Sequence, residues 1–460
     1  MNTAAAPTDK VPLASRLAFG IGDFGFVLVW QGTTLFLMYF YTDVVGISPI
    51  MAGTIYLAAM IWDAVTDPLI ATMAERTRSR WGRYRPWIVL GAIPFAISYA
   101  LAFAAPPSAA ITPWLWALGT HILLRTMYTV VSMPFNAMQA RLTGDADERS
   151  VLAGFRMVGA ASGGMAIAFI TPFVVATYAA DGEATGYLYA AMVGGIIAGL
   201  GLLYCGFVMR EPAHLPSAER QTSFASDLAS MLKMLTVNPP LARVFAIIVV
   251  GSICLGMFGK NVLYYFKYDI EQPDLALPAL LLPAALLIVV TPFWVWISRR
   301  KSKRIALEYG MWIALAGYIA FFLNFESTVA LAFAGIALIG IGAGALPIMF
   351  WAMLPDTIEY GEAMTGDRAE ARTFGFATFA QKAAVGINAL LLGALLGWIG
   401  FEANTTQTEE TLIALRALMA LLPAIGAVAI LWILRGYTLD QEAHRELRAQ
   451  AGAKTDKTIG

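Results

Sequence analysis

The sequence predicts an all-α protein that crosses a membrane twelve times. Only 13% of its 460 residues are charged and 58% are hydrophobic, whereas about a quarter of the residues in a soluble domain are charged. The apolar residues form long blocks, and a helix of about 20 apolar residues crosses a hydrocarbon core of roughly 30 Å. The composition therefore disfavours a soluble globular domain and favours a polytopic helical membrane protein.

A long polar stretch divides the apolar blocks into two sets of six. Residues 210–240 are that stretch, and they are expected to form a cytoplasmic middle loop. We expect an N-terminal six-helix half at 1–209, a C-terminal six-helix half at 241–435 and a cytoplasmic tail at 436–460. Two halves of the same orientation match the parallel-repeat architecture of a large class of transporters. The expected spans are 17–42, 50–74, 86–105, 111–140, 149–179, 185–209, 241–268, 275–298, 305–323, 328–354, 372–400 and 409–435.

Basic residues concentrate in the loops that follow the second and eighth spans. Arg299 and Arg300 begin the latter loop, and the loops of the opposite side carry little positive charge. Because basic loops stay in the cytoplasm, both termini are expected there, in a multi-pass protein of the cytoplasmic (inner) membrane. The polar first residues lack the apolar stretch of a signal peptide. Membrane lipid is an expected partner, and a functional monomer is expected.

The sequence carries no pattern that indicates an enzyme. It has no GxxxxGK(S/T) phosphate loop, HExxH zinc motif or nucleophile motif, and its three histidines are scattered. Cys205 and Cys254 fall in predicted spans and are expected to be ordinary buried thiols. We therefore expect no cofactor and no nucleic-acid partner, and a primary pump or membrane enzyme is disfavoured.

Two aspartates interrupt the apolar block of the second span. In the segment IWDAVTDP at 61–68, Asp63 and Asp67 lie four residues apart, which places them on one face of a helix. Two carboxylates this close repel in a low dielectric, so a proton, a basic partner or a cation must accompany them. With the hydroxyl of Thr66, their oxygens suit a hard cation such as Na⁺, or a shared proton. A structural ion pair is the alternative.

Further charged residues lie in other spans, where each is costly unless it faces the interior of the bundle. Arg125 and Arg156 are the nearest candidates to balance the two aspartates. Together with aromatic and amide side chains, the intramembrane charges predict a central cavity for a solute. The remaining charged residues of this set are Asp23, Lys260 and Lys382.

A second group of charges follows the fourth and tenth spans. With the basic loop after the eighth span, these residues predict a salt-bridge lock that closes the cytoplasmic side, and solvated loop charge is the alternative. The residues of the predicted cytoplasmic gate are Asp145, Glu148, Arg149, Arg299, Arg300, Asp356 and Glu359.

Several motifs resemble those of the glycoside–pentoside–hexuronide:cation symporters, and the resemblance covers nearly the whole chain. The stretch from 61 to 87, which includes RSRWGRYRPW, is the most specific. The resemblance implies the major facilitator fold, and symport of a sugar driven by Na⁺, Li⁺ or H⁺ through alternating access. The other matching segments are GIGDFG at 20–25, FYTDVVGIS at 40–48, MPFNAMQARLTGDADERSVLAGFR at 133–156, YYFKY at 264–268, LPDTIEYGE at 354–362 and AQKAAVG at 380–386.

The resemblance also implies a cation site and a solute site. Thr66 stands where a family member has asparagine, which leaves Na⁺ against H⁺ open. The cation residues implied are Asp63, Thr66, Asp67 and Thr129. The solute residues implied are Arg156, Lys382, Trp351, Tyr128 and Thr378.

The chain departs from the family pattern at two candidate solute residues. Ser132 and Asn136 stand where a galactoside-transporting member has an aspartate and a tryptophan, which argues against a galactoside. Arg156 and Lys382 would suit an anionic sugar such as a uronide, or they could balance the aspartates. Asp23 belongs to the family's GxGDFG pattern and is a candidate solute residue with a structural role as the alternative.

Other classes of transport protein remain as alternatives. Animal relatives of the family move lysolipids, so a lysolipid or other organic-solute transporter of the same fold is one of them. A channel or a sensor is another, and stoichiometric coupling of cation and solute would distinguish a symporter from both.

Overall fold

The computed structural model describes residues 11–108, 111–142, 146–209, 233–324, 326–365 and 370–439, and their regular structure is entirely helical. The chain forms two compact units, Met1–Glu219 and Arg220–Gly460, called here the N-terminal and C-terminal units. Most of the predicted middle loop, the tail from residue 440 onward and Asp145 lie outside the described residues.

Six long helices form the described part of the N-terminal unit. Proline residues at the first turns of the second and third helices fit positions where a backbone N–H has no helical partner. A π-helical turn, Phe40–Val44, extends the first helix. The helices are α1 (Leu13–Tyr39), α2 (Pro49–Arg76), α3 (Arg85–Ala102), α4 (Pro113–Leu142), α5 (Ala146–Thr177) and α6 (Glu183–Val208).

In the described part of the C-terminal unit, eight helical pieces form six spans. A π-helical turn, Gly251–Leu255, joins the first two pieces into one span that continues to Asp269. Asn388 donates its side-chain amide to the carbonyl of Ile253 within that turn. The pieces are α7 (Pro239–Val250), α8 (Gly256–Tyr264), α9 (Ala276–Arg300), α10 (Lys303–Phe322), α11 (Val329–Ala343), α12 (Ala345–Thr365), α13 (Glu370–Trp398) and α14 (Glu409–Arg435).

The predicted spans are confirmed as helices. Eleven helical segments of the described chain are long and apolar enough to cross a membrane. The twelfth, α4, has 30 residues but is more polar, because it carries residues such as His121 and Arg125. The prediction placed the end of the tenth span at 354, whereas α12 continues to Thr365. The apolar run marks the end of the membrane crossing, and Pro355 does not end the helix.

Small residues let the backbones of the N-terminal unit approach closely, as is common between membrane helices. α1 packs mainly against α5. A Cβ atom added at Gly159 would collide with the carbonyl oxygen of Gly20, and one at Gly163 with that of Phe24. This contact fixes α5 beside the part of α1 that carries Asp23.

The helices α2 and α4 pack against each other elsewhere in the same unit. The indole Nε1 of Trp62 donates to Thr126 Oγ1 at 2.9 Å, which sets the register of the two helices. Asp63 directly follows Trp62 on α2, and Thr129 lies three residues after Thr126 on α4, so the same register places the side chains of Asp63 and Thr129 in contact.

A buried ion pair ties together three parts of the C-terminal unit. Arg416 of α14 donates from Nε and Nη2 to the carboxylate of Asp269 at 3.0 and 2.7 Å. Its Nη1 donates to the carbonyl oxygen of Asn324 at 3.0 Å. Both charged side chains are buried. The bidentate geometry satisfies a pair of charges that would be costly to bury separately.

We expect Gly159→Ala to destabilise the protein, because even a methyl group would meet the backbone of α1. Overpacking of this kind costs typically about 1–3 kcal/mol. Gly154→Ala in the same helix is the matched control, since a Cβ there meets no atom within 4 Å. The thermal unfolding midpoint in detergent should fall for Gly159→Ala and stay or rise for Gly154→Ala. Equal midpoints for the two variants would contradict the packing described.

Candidate functional site

A pair of carboxylates and one hydroxyl form the most polar contact between α2 and α4. Asp63 and Asp67 project from α2, and Thr129 Oγ1 of α4 lies 2.9 Å from Oδ1 of each. Asp63 and Thr129 are completely buried. The structure therefore brings together three of the four residues expected to bind the cation.

The hydroxyl of Thr129 contains one proton and can donate it fully to only one of the two carboxylates. The other contact is satisfied if that carboxyl is itself protonated and donates to Thr129. It is equally satisfied if a cation lies among the three oxygens, as hard cations prefer oxygen ligands. The arrangement is thus suited to hold one positive charge, as a proton or as a metal ion.

Thr66, the fourth expected cation residue, is buried but bonds to its own helix. Its Oγ1 lies 3.0 Å from the carbonyl oxygen of Trp62 and 3.2 Å from that of Asp63. Within the described ranges, no group of three or more His, Cys, Asp or Glu side chains could hold a metal ion. A Na⁺ ion at the carboxylate pair would therefore need hydroxyl or carbonyl oxygens in addition.

Three of the expected solute residues form a second cluster. Arg156 of α5 donates from Nε and Nη2 to the two carboxylate oxygens of Asp23 on α1, each at 2.9 Å, and from Nη2 to Asn136 Oδ1 at 3.0 Å. Its guanidinium also lies over the rings of Phe19 and Phe135. The prediction named Arg156 as a candidate counterion of Asp63 and Asp67, and the structure gives it a bidentate partner in Asp23.

One face of α4 connects the two clusters, because positions 125, 129, 132 and 136 recur every three or four residues. Ser132 on this face is buried, and its hydroxyl has no hydrogen-bond partner among the described residues. Beside it, the ring of Tyr128 lies 5.6 Å from that of Phe26 and 5.8 Å from that of Trp30. Candidate cation and solute residues thus share one helix surface.

Arg125 is a residue of this face that the sequence suggested only as a counterion of Asp63 and Asp67. Its side chain is buried, and its Nε lies 3.3 Å from His121 Nε2. The guanidinium carbon lies 4.9 Å from the ring centre of Trp30 and 5.9 Å from that of Tyr56. The sequence signal for Arg125 was a charged residue within an apolar segment. That signal does not identify the aromatic residues that contact its guanidinium.

The expected solute residues of the C-terminal unit lie on α12 and α13. Lys382 is buried in α13, and one turn earlier Thr378 donates its hydroxyl to the carbonyl of Phe374 at 3.1 Å. Trp351 of α12 stacks on the ring of Phe374, with 6.2 Å between ring centres. Phe374 therefore connects the tryptophan to the helix that carries the lysine.

The predicted gate residue Glu148 pairs with a residue that the sequence did not single out. Glu148 accepts from Arg16 Nη2 at 2.8 Å and from the backbone N–H of Val11 at 3.2 Å. The pair connects the beginnings of α1 and α5. The side chain of Arg149, like Asp145, lies outside the described residues.

In the C-terminal unit, Asp356 pairs with Lys303, whose Nζ lies 2.7 Å from Oδ2. Two predicted basic gate residues lie just before Lys303 in sequence: Arg300 stacks over the ring of Trp296, and Arg299 is exposed. The predicted acidic gate residue Glu359 of α12 is half-buried. The pKa of the Tyr437 hydroxyl is raised, mainly by burial and also by the carboxylate of Asp356. The hydroxyl therefore stays protonated.

Comparison with known proteins agrees with this architecture. The family model of the MFS/sugar transport proteins matches residues 18–441. The chain is 31% identical over 436 residues to the putative glycoside/cation symporter YagG of Escherichia coli K12, which covers 94% of this chain and 93% of that protein. It is 28% identical over 433 residues to the isoprimeverose transporter of Lactiplantibacillus pentosus, with 92% and 89% covered.

A solved structure shares the fold at low sequence identity. The nucleoside transporter NupG superposes with a TM-score of 0.64 and 14% identity, over 92% of this chain and 100% of that one. The matching proteins are membrane transporters and not enzymes. The chain belongs to the glycoside–pentoside–hexuronide:cation symporter family of the major facilitator superfamily.

Proposed function

We propose that the protein is a secondary active transporter that couples the movement of a sugar to that of a cation by alternating access. The contact of Asp63 and Asp67 with the hydroxyl of Thr129 carries this proposal, because two carboxylates and a hydroxyl that meet at one point offer oxygen ligands to a proton or a hard cation. The names of the relatives, a glycoside/cation symporter and an isoprimeverose transporter, support a sugar as the solute.

The coupling ion is H⁺ or Na⁺, and the same residues serve either. A proton on one carboxyl of the pair removes the repulsion between the carboxylates and provides the second hydrogen bond to Thr129. A Na⁺ ion does the same by direct coordination, with Thr66 or backbone carbonyl oxygens as further ligands. In both cases the empty pair is unfavourable, so the cation stabilises the contact between α2 and α4.

In this proposal, each unit contains candidate sugar-binding residues of its own. In the N-terminal unit, Arg156 donates to sugar hydroxyls and Asn136 donates to or accepts from them. Ser132 offers a buried hydroxyl, and Tyr128 offers a ring surface. In the C-terminal unit, Lys382 and Trp351 take the corresponding roles, and Thr378 lies one turn away. Asp23 holds the guanidinium of Arg156 in place.

Coupling follows from linkage between the two ligands. If cation and sugar each favour the occluded state, each raises the affinity for the other by the same factor.

The ion pairs Arg16–Glu148 and Lys303–Asp356 brace the helix ends of their own units. We place both termini and these ends in the cytoplasm on the basis of the positive-inside rule.

The test is uptake of labelled glycosides, pentosides and uronides into proteoliposomes with an imposed Na⁺ gradient, an H⁺ gradient or neither. Gradient-dependent accumulation would identify both the ion and the sugar class. Failure to accumulate any sugar under either gradient would argue for a different solute, such as a lysolipid.

Asp63→Asn and Asp67→Asn should each abolish accumulation against a gradient, because neither variant can hold the extra positive charge. Thr129→Val should weaken cation affinity about ten-fold, as expected for loss of a hydrogen bond to a charged group. Thr120→Val, which removes a buried hydroxyl of the same helix that donates to carbonyl oxygens of α4 itself, is the matched control and should retain it. Full accumulation by either aspartate variant would refute the proposed cation site.

Arg156→Ala should lose sugar affinity much more than cation affinity, since its contacts lie in the solute cluster. It also leaves Asp23 without its bidentate partner, so the variant is expected to unfold at lower temperature. The double variant Asp23→Asn/Arg156→Ala should recover stability but not sugar binding. Equal losses of sugar and cation affinity in Arg156→Ala would show that the residue acts only as an ion-pair partner.

A further inference from the structure

A cavity of about 710 Å³ lies in the C-terminal unit where α7 begins and α14 ends. Its walls come from both helices and from the residues just before α7, and most of them are apolar. The charged side chains among its lining residues are those of Arg243 on α7 and Arg435 on α14. The cavity therefore combines apolar walls with two positive charges, at a distance from the candidate cation and solute residues.

The outer face of α14 indicates how this cavity lies relative to the membrane. Ile425, Val428 and Trp432 are 64%, 52% and 72% exposed, and their spacing places them on one face of the helix. An exposed apolar stripe on a membrane-spanning helix faces lipid. Arg435 continues the same face and is also exposed. The change from apolar residues through a tryptophan to an arginine is typical of the membrane–water interface, so the cavity opens at the level of the lipid head groups.

The two lining arginines have no acidic partner within the described part of the chain. The guanidinium of Arg243 packs on the backbone of Gly436, where an added Cβ atom would lie 2.6 Å from Nε. The carboxylate of Asp356 lies at the same end of the unit, but it accepts from Lys303 Nζ at 2.7 and 2.8 Å. The charges of Arg243 and Arg435 are therefore available to a ligand in the cavity.

A third arginine provides the hydrogen bond that the end of α14 needs. Arg304 of α10 donates from Nη1 to the carbonyl oxygen of Tyr437 at 3.3 Å, as basic side chains often do at helix C-termini. Arg243 and Arg435 donate no hydrogen bond to any described residue. Capping of α14 therefore accounts for Arg304 and leaves the two lining arginines without a structural role of this kind.

The shape and the walls of the cavity suit an amphiphile better than a soluble anion. Ala242 and Ala246 lie four residues apart on one face of α7, and their small side chains leave space beside Trp432 and Ile433. An acyl chain gains free energy from such apolar walls in proportion to the length that it buries, whereas a soluble phosphate gains nothing from them. Arginine binds phosphate oxygens through parallel hydrogen bonds.

We propose that the cavity between α7 and α14 is a binding site for an anionic phospholipid. Arg243 and Arg435 hold its phosphate group, and one acyl chain lies along Ala246 and Trp432. Basic pockets between transmembrane helices bind anionic head groups in this way. A lipid bound here connects the beginning of the first helix of the unit to the end of the last one. The site is separate from the residues proposed for cation and sugar, so it does not depend on which solute is transported.

The experiment is native mass spectrometry of the purified full-length protein in a neutral detergent, with counting of retained lipids. Phosphatidylglycerol and phosphatidylcholine with identical acyl chains compete for the protein. Both contain a phosphate, but the choline group cancels its charge. The wild type should prefer phosphatidylglycerol by about 10- to 30-fold, as expected for two arginines near an anionic head group. The double variant Arg243→Gln/Arg435→Gln should lose this preference.

Arg80→Gln is the matched control for loss of a positive charge. Arg80 is an exposed arginine of the N-terminal unit whose guanidinium lies 5.9 Å from the ring centre of Trp81, so it also combines a basic and an aromatic side chain. This variant should keep the full preference. Ala246→Phe fills the apolar wall without changing the charge, and it should weaken the binding of phosphatidylglycerol.

Glycerol phosphate distinguishes a lipid from a soluble anion, because it carries the charged group without acyl chains. It should not displace the bound phosphatidylglycerol. Displacement by glycerol phosphate, together with unchanged binding in Ala246→Phe, would show a site for soluble anions and overturn the proposal. Equal retention of the two lipids by the wild type would overturn it without any variant that must fold. An unchanged preference in the double variant would place the lipid elsewhere and also overturn it.

Discussion

A charge inside a membrane needs an opposite charge or a polar ligand, and this requirement determines the interior of the protein. Asp23 and Asp269 meet it with arginines held by two hydrogen bonds each. The pair of Asp63 and Asp67 has a hydroxyl between its members. The arginine pairs are structural contacts, and the Asp63–Asp67 contact is the place where we propose that a cation adds its charge.

The arrangement of these charges depends on closely packed backbones, which the glycine contacts allow. Gly159 and Gly163 let α5 approach α1 until their backbones touch, and that distance lets Arg156 reach Asp23. A similar contact between α10 and α11 relies on Gly310 and Gly342. Larger residues would separate the helices and lengthen every polar contact between them. The apolar and the polar features of the bundle are therefore not independent.

The sequence was sufficient for the helices and for part of the site. Apolar length predicted the spans, and the spacing of Asp63 and Asp67 predicted a shared face, because both are local properties of a helix. The partners of Arg156 and Glu148 could not be predicted in this way, since Asp23 and Arg16 lie more than a hundred residues from them in sequence. The end of α12 was misplaced because hydropathy reports the membrane boundary and a helix can continue past it. The surroundings of Arg125 depend on helix packing, which has no signal in a single sequence.

The π-helical turn Gly251–Leu255 has a mechanical consequence for the C-terminal unit. A π-helical turn is wider than an α-helical one and leaves backbone groups free for other partners. Asn388 of α13 occupies one of them, the carbonyl of Ile253. A change of conformation at this turn, or a rotation of α13 relative to it, would have to break this hydrogen bond. Asn388 thus couples the π-helical turn to α13, the helix that also carries Lys382.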